Sequence, residues 1–174
     1  MTYTHHYISP LGGITMASDG TNLTGLWFDG QKYFGSTLSS PQEPKELPVF
    51  TLADRWLTIY FTGKDPDFTP PLSLNATPFQ KAVWEILLTI PFGQTTTYKE
   101  IAQKIARQRG LSTMSAQAVG GAVGHNPISI IIPCHRVIGT NQSLTGYAGG
   151  IHRKEKLLLL ENPHIRCFLR AGRL

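Results

Sequence analysis

Ile128-Ser129-Ile130-Ile131-Ile132-Pro133-Cys134-His135-Arg136-Val137-Ile138-Gly139 is the stretch from which the chain is best read. Residues 128–132 form a short, nearly continuous apolar run, the pattern of a buried strand covered on both faces of its pleat. Pro133 has no donor for a sheet ladder, so pairing is expected to stop there and the chain to turn. A thiol, an imidazole and a guanidinium then follow in a row, at the end of a rigid element. Local chemistry leaves two readings of Cys134. Free cysteine packs as a small hydrophobe, which would make it structural, beside a surface His–Arg pair. A functional thiol needs partners that local sequence alone cannot establish.

Upstream, Thr77-Pro78-Phe79-Gln80 offers a capping hydroxyl, proline at the first helical position and glutamine where a capping box needs it. Phe79, Val83, Ile86, Leu87 and Ile90 then share one inward helical face, closed by Pro91-Phe92-Gly93. Thr97-Tyr98-Lys99-Glu100 repeats the capping pattern, with Ile101, Ala102 and Ile105 inward and Gly110 as the break. A second short helix is expected over about 115–123, giving a pair of the helix-turn-helix kind. It is nearly bare: Ala116, Ala118, Gly120, Gly121, Ala122 and Gly124 leave little side chain, although each glycine costs roughly 1 kcal/mol against alanine. Such a helix fits closely against either another helix or a nucleic-acid groove. Downstream, 139–150 reads as a loop, and residues 152–156 lead into four leucines with Glu161 at the end of a short helix. The basic residues on that flank read as a solvated face or as phosphate contacts.

Residues 1–71 read as a strand-rich module. Tyr7 through Ala17, followed by Ser18-Asp19-Gly20, reads as strand, turn and strand; Thr24-Gly25-Leu26-Trp27-Phe28 is a further strand, ended by Asp29-Gly30. Leu52, Trp56, Ile59 and Tyr60 have helical spacing over 52–61, and Gly63 supplies a stop. Pro66, Pro70 and Pro71 mark a linker at about 65–76, leaving 72–174 as the second domain. His5 and His6, adjacent and without a nearby cysteine, read as exposed residues rather than metal ligands.

Composition bounds the function classes. Hydrophobic residues make up 41% of the 174, enough for a packed core, and a charged fraction of 16% argues against disorder. No window approaches a membrane span, and no basic segment followed by an apolar core suggests export, so a cytoplasmic location is expected. Two cysteines, Cys134 and Cys167, make no disulfide framework and fit a reducing compartment. Charge is uneven: residues 1–75 hold 4 Lys/Arg and 7 Asp/Glu (net −3), residues 76–174 hold 12 and 4 (net +8). The basic half carries Cys134 and suggests a polyanionic partner.

From Thr77 to Glu161 the chain resembles the O6-alkylguanine-DNA alkyltransferases, the methylated-DNA–protein-cysteine methyltransferases. The resemblance rests on Phe79-Gln80, Phe92-Gly93, Thr97-Tyr98, Ala118-Val119-Gly120, Gly124-His125-Asn126-Pro127, Pro133-Cys134-His135-Arg136-Val137 and Gly146-Tyr147-Ala148-Gly149-Gly150, in that order. It implies an α+β protein: a ribonuclease H-like, strand-rich N-terminal module, then a helical module with a winged-helix-like helix-turn-helix. It implies that Cys134 irreversibly accepts the alkyl group of O6-alkylguanine, and of O4-alkylthymine, from a nucleotide flipped out of duplex DNA. One protein would repair one lesion, as a monomer, without cofactor or metal. Some relatives carry a structural zinc on N-terminal cysteines; this chain has no cysteine before Cys134.

The same resemblance implies a Cys134–water–His135–Glu161 relay, with Asn126 bracing the turn and Tyr98 donating toward guanine N3. The Ala148 N–H would reach the guanine oxygen, the Cys134 and Val137 carbonyls would take its exocyclic amine, and Tyr147 and Gly149 would help wall the pocket. Ala118 and Gly120 would lie on the helix that enters the minor groove. Gln117 stands where relatives commonly carry an intercalating arginine; it keeps a polar amide but loses charge and bidentate geometry. Arg136 reads as a phosphate ligand or a structural anchor, the anchor being preferred. Cys167 reads as a bystander. Competing readings are a non-repairing damage binder, whose acceptor position would carry another residue such as tryptophan, a Cys–His hydrolase, and a transcription factor built on the helix pair.

Overall fold

The computed structural model describes residues 1–167, without the side chains of Arg166 and Cys167; the rest of the basic tail, 168–174, lies outside the described residues. Two compact units form: Met1–Asn75 together with Pro127–Ile131, and Ala76–Asn126 together with the chain from Ile132 onward. The segment Pro127–Ile131, expected in the second module, thus packs with the first unit.

In the first unit, strands β1 (Thr2–Ser9), β2 (Gly12–Ser18), β3 (Leu23–Phe28) and β4 (Gln42–Pro44) form a sheet of order β3-β2-β1-β4. β1 and β2 are antiparallel, Tyr3 opposite Ser18 and Ser9 opposite Gly12, and β4 adds in parallel to β1. Asp19 makes the second turn by accepting the N–H groups of Thr21 and Asn22 on Oδ1 at 2.9 and 2.7 Å. Helix α1 (Pro48–Tyr60) buries Val49, Phe50, Ala53, Trp56, Leu57 and Tyr60. It begins four residues before the expected 52, because Pro48 presets the first helical φ, and Leu52 is an exposed residue rather than part of the inward face. β1 holds α1 through polar contacts as well: His5 Nε2 bonds Asp54 at 2.8 Å and the ring stacks on Phe50. His5 is therefore a tethered residue, not simply an exposed one.

Two expectations in this unit need correction. The linker is partly docked: Leu23 N–H donates to Pro71 O (2.7 Å), Ser73 N–H donates to Leu23 O (3.0 Å), and Pro66 and Pro70 are buried. Nor do residues 128–132 form a strand. Ile128 makes one bridge to Leu26; the chain then turns, with Ile131 N–H reaching Ser129 O at 2.8 Å across Ile130, whose φ is +69°. A bond spanning two residues across a left-handed residue is a γ-turn of the rarer kind, strained for a β-branched side chain. The apolar run reported burial correctly, every side chain from 127 to 138 being buried, but burial does not fix conformation.

In the second unit the elements are α2 (Pro78–Leu88), β5 (Thr96–Thr97), α3 (Tyr98–Gln108), α4 (Ala116–Gly124), β6 (Val137–Ile138) and α5 (Ile151–Glu161). Both capping boxes form, Thr77 with Gln80 and Thr97 with Glu100, and Ser115 caps α4. α2 buries Val83, Trp84, Ile86 and Leu87, with Phe79 half-buried; α3 buries Ile101, Ala102, Ile105 and Ala106. β5 and β6 pair in parallel, Thr96 with Val137 and Thr97 with Ile138. That small pairing brings Tyr98, one residue past β5, beside the Cys134 turn that precedes β6. A cluster of Ile138, Leu144, Leu158 and Ile165 pins the 139–150 loop to α5. Strand-rich first unit and helical second unit make an α+β protein. Among the described residues no helix is long and apolar enough to cross a membrane.

Replacing Thr77 by alanine removes one half of the α2 capping box. It is expected to lower stability by about 1 kcal/mol in a denaturant titration. Chemistry at Cys134 should be untouched.

Candidate active site

Pro133 sits at φ −82° and ψ 64°, and Cys134 N–H donates to Ile132 O at 2.8 Å. This is an inverse γ-turn, which fixed proline geometry favours. It feeds a 3-10 turn over Cys134–Arg136, closed by Val137 N–H donating to Cys134 O. Cys134 and His135 therefore lie in a tight turn, not in extended chain. With three residues per turn their side chains diverge by about 120° instead of 180°.

All three turn residues are buried, and two of them converge on Glu161 at the end of α5. Glu161 Oε1 accepts from His135 Nε2 at 2.6 Å and Arg136 Nη2 at 3.0 Å; Oε2 accepts from Arg136 Nε at 2.9 Å and Gly93 N–H at 3.0 Å. Burial pushes the Glu161 carboxyl up, but His135 and Arg136 pull it down to about 2. Burial holds the His135 imidazole below its ordinary value despite Glu161, and Arg136 and Lys154 add to that lowering. A neutral ring donating from Nε2 to a carboxylate leaves its lone pair on Nδ1. Arg136 is an anchor, not a phosphate ligand: its remaining Nη1 donates to Ile90 O at 2.6 Å, and the guanidinium lies over Phe92.

Cys134 is 5% exposed. Burial pushes its thiol above the ordinary range; against this work the Asn126 amide, the Lys154 charge and the N–H groups of Cys134 and His135. The resting group is a thiol with thiolate-stabilising groups already arranged around it. Asn126 is fixed by donating Nδ2–H to Ile132 O at 2.8 Å. Tyr98, half-buried at the start of α3, donates its hydroxyl to Thr145 O at 3.1 Å. Burial and the proximity of Cys134 raise its pKa, so it stays a donor.

Lys154 is the residue that sequence reading misplaced. Set among basic neighbours it looked solvated, yet it is 0% exposed. Its Nζ donates to the carbonyls of Val137 (2.5 Å), Thr145 (2.9 Å) and Gly146 (3.2 Å), and burial lowers its pKa to about 8 against the pull of Cys134. The only available signal was position: Lys154 lies three and four residues from Leu157 and Leu158, on the same helical face. The Val137 carbonyl thus already carries one donor, leaving one lone pair.

On the outer side of α4, Gln117 and Ala118 are exposed, while Gly120 faces Tyr98, whose ring would stand 3.8 Å from a Cβ there. Tyr147 meets the His135 ring edge to face (centroids 6.5 Å apart); Ala148 is half-buried and Gly149 buried, its carbonyl accepting from Arg153 Nη1 at 3.3 Å. Among the described residues no three His, Cys, Asp or Glu side chains gather as a metal-binding group.

Residues 2–74 match the ribonuclease-like domain of 6-O-methylguanine DNA methyltransferase, and residues 78–163 match its DNA binding domain. The chain belongs to the 6-O-methylguanine DNA methyltransferase family. It is 46% identical over 153 residues to the methylated-DNA–protein-cysteine methyltransferase of Mycobacterium tuberculosis, covering 88% of each chain. It is 41% identical over 165 residues to the Haemophilus influenzae protein of the same name, covering 94% and 88%. A crystal structure of Mycobacterium tuberculosis OGT in complex with DNA superposes with a TM-score of 0.80 at 43% identity, covering 92% and 93%. Within the family's DNA binding domain fall every group bound to Glu161, the thiol, Tyr98, Lys154 and α4. Gly93 is a further participant not anticipated in its role, since a backbone donor leaves no chemical signature in sequence.

Both His135 and Glu161 have lowered folded-state values, so the stability each contributes is present above its unfolded value and lost on acidification. His135 begins to cost stability below its ordinary 6.5, and Glu161 between its ordinary 4.5 and about 2. Denaturant titrations across pH 7 to 2 are expected to fall in those two windows. Glu161→Gln is expected to cost about 3–5 kcal/mol at neutral pH, because Arg136 is left buried without its counter-charge, and to flatten the lower window.

Proposed function

We propose that this protein repairs DNA directly, by moving the alkyl group of an O6-alkylguanine to Cys134 Sγ in one irreversible step. The observation that carries this is the buried thiol ringed by thiolate-stabilising groups, beside a neutral imidazole whose tautomer Glu161 sets. A bridging water passes the thiol proton to His135 Nδ1, and the imidazolium formed is held by Glu161. The thiolate then displaces at the alkyl carbon: a C–S bond forms, the C–O bond breaks and its electron pair stays on the guanine. Tyr98, released from Thr145 O, donates to N3 of the departing base, and the Lys154 charge favours both anions. The thioether has no route to hydrolysis, so each molecule acts once. O4-alkylthymine is the second substrate by the same chemistry.

The target atom is inaccessible in a duplex, so the nucleotide is flipped out. α4 is the element that enters the minor groove, which is about 6 Å wide and tolerates little bulk. Its glycines support this. A Cβ at Gly121 or Gly124 would find no atom within 4 Å, so packing inside the chain does not require glycine there. Gln117, exposed in the first turn of α4, occupies the place of the extruded base. The protein acts as a monomer.

Incubation with excess duplex carrying one O6-methylguanine is expected to add a single methyl to the intact protein mass, never above one equivalent. Cys134→Ala should show none; tight binding without mass change would make the protein a damage sensor instead. Gly121→Ala should raise stability by roughly 1 kcal/mol while weakening duplex binding several-fold. Gln117→Arg should tighten duplex binding in a salt-dependent way. Unchanged affinity in both variants, measured by fluorescence anisotropy, would remove α4 from the DNA interface.

A further inference from the structure

We infer that Trp84 is a positioning residue for the reaction on duplex DNA, acting as a cap that α2 supplies to the end of α4. The inference rests on the alkyl-transfer reading above. Helices fix one another's axial position through interlocking side chains. α4 has few: of its nine residues, Val119, Ala122 and Val123 are buried, and Gly121 and Gly124 have open space where a Cβ would stand. Apolar packing alone therefore resists sliding or rotation of this helix weakly. A directional bond compensates. The Trp84 indole, 2% exposed, donates Nε1–H to Ala122 O at 2.8 Å in a buried setting.

The acceptor matters. Ala122 lies in the last turn of α4, where carbonyls have run out of intrahelical donors. Gly121 O takes the N–H of His125 and Val123 O takes that of Asn126, while Ala122 O takes the indole. Ser115 caps the other end through its side chain. The bond from Trp84 is thus directional, buried and anchored in a different helix, and it sets where the outer residues Gln117, Ala118 and Gly121 are presented. The thiol-side groups are oriented by bonds of their own, the His135 ring by Glu161 and the Asn126 side chain by Ile132 O. Loss of the indole bond should therefore affect duplex DNA and spare a free base, which needs neither groove entry nor flipping.

Two variants test this: Trp84→Phe, and Trp84 replaced by β-(3-benzothienyl)alanine, which keeps the two-ring shape and removes the N–H donor. The readouts are duplex affinity, the second-order rate on a duplex with one O6-methylguanine, and the rate with the free O6-methylguanine base, each by intact mass or anisotropy. Expected for the benzothienyl variant is a folded protein with a duplex rate about tenfold lower and a free-base rate within about twofold of wild type. Equal losses on both substrates, or no loss on the duplex, overturn the inference. A wild-type protein that alkylates with neither substrate overturns the alkyl-transfer reading itself.

Discussion

Four donors on one carboxylate hold the second unit's chemistry together. Glu161 gathers the His135 ring, the Arg136 guanidinium through two nitrogens, and the Gly93 backbone N–H. It thereby joins the end of α5, the reactive turn and the loop after α2, three segments far apart in sequence. Gly93 is needed for the approach: its φ is +81°, and a Cβ there would sit 3.3 Å from the Glu161 carbonyl oxygen. A buried carboxylate alone would protonate; saturated with donors it stays ionised, and so keeps His135 in one tautomer and one orientation.

Charge follows from that arrangement. Arg136 and Glu161 offset each other, His135 is neutral, and the charge left over near the sulfur is Lys154, whose value of about 8 leaves it mostly protonated at neutral pH. In a region shielded from water, a single positive charge acts strongly on any anion that forms. Two anions form in alkyl transfer, the thiolate and the departing guanine. In the resting state burial favours the thiol form of Cys134.

How much of this was legible in the sequence depended on whether a feature is local. Capping boxes at Thr77 and Thr97, the inward face of α3 and the bare α4 are set by residues within a turn or two of one another and form as read, while the α2 face gains Trp84 and leaves Phe79 half-buried. The run at 128–132 misled because apolar content reports burial, whereas the γ-turn at Ile130 is imposed by tertiary contacts on a residue that would not choose it. Lys154 misled for a related reason. Beside His152, Arg153 and Lys156 it has a solvated look, and its three carbonyl acceptors come from β6 and the 139–150 loop, which are not helical neighbours. Proline content suggested a linker at about 65–76, and it does not show that Pro71 and Ser73 bond the edge of β3. Among the candidate site residues, Cys134, His135, Glu161, Asn126 and Tyr98 do come together; Arg136 turns inward, onto Glu161 and Ile90 O.

The composition of α4 carries a final consequence. Glycine at 120, 121 and 124 raises the cost of forming this helix, and packing within the chain explains only the first, which lies against Tyr98. A helix weakened in this way needs compensation from its ends and its neighbours. Ser115 supplies it at the N-terminus and Trp84 at the C-terminus, each through a single hydrogen bond. The thinness of α4 and the fixed bonds at its two ends are therefore one design. Bulk removed from the outer face weakens the helix, and directional polar contacts restore its position without returning the bulk.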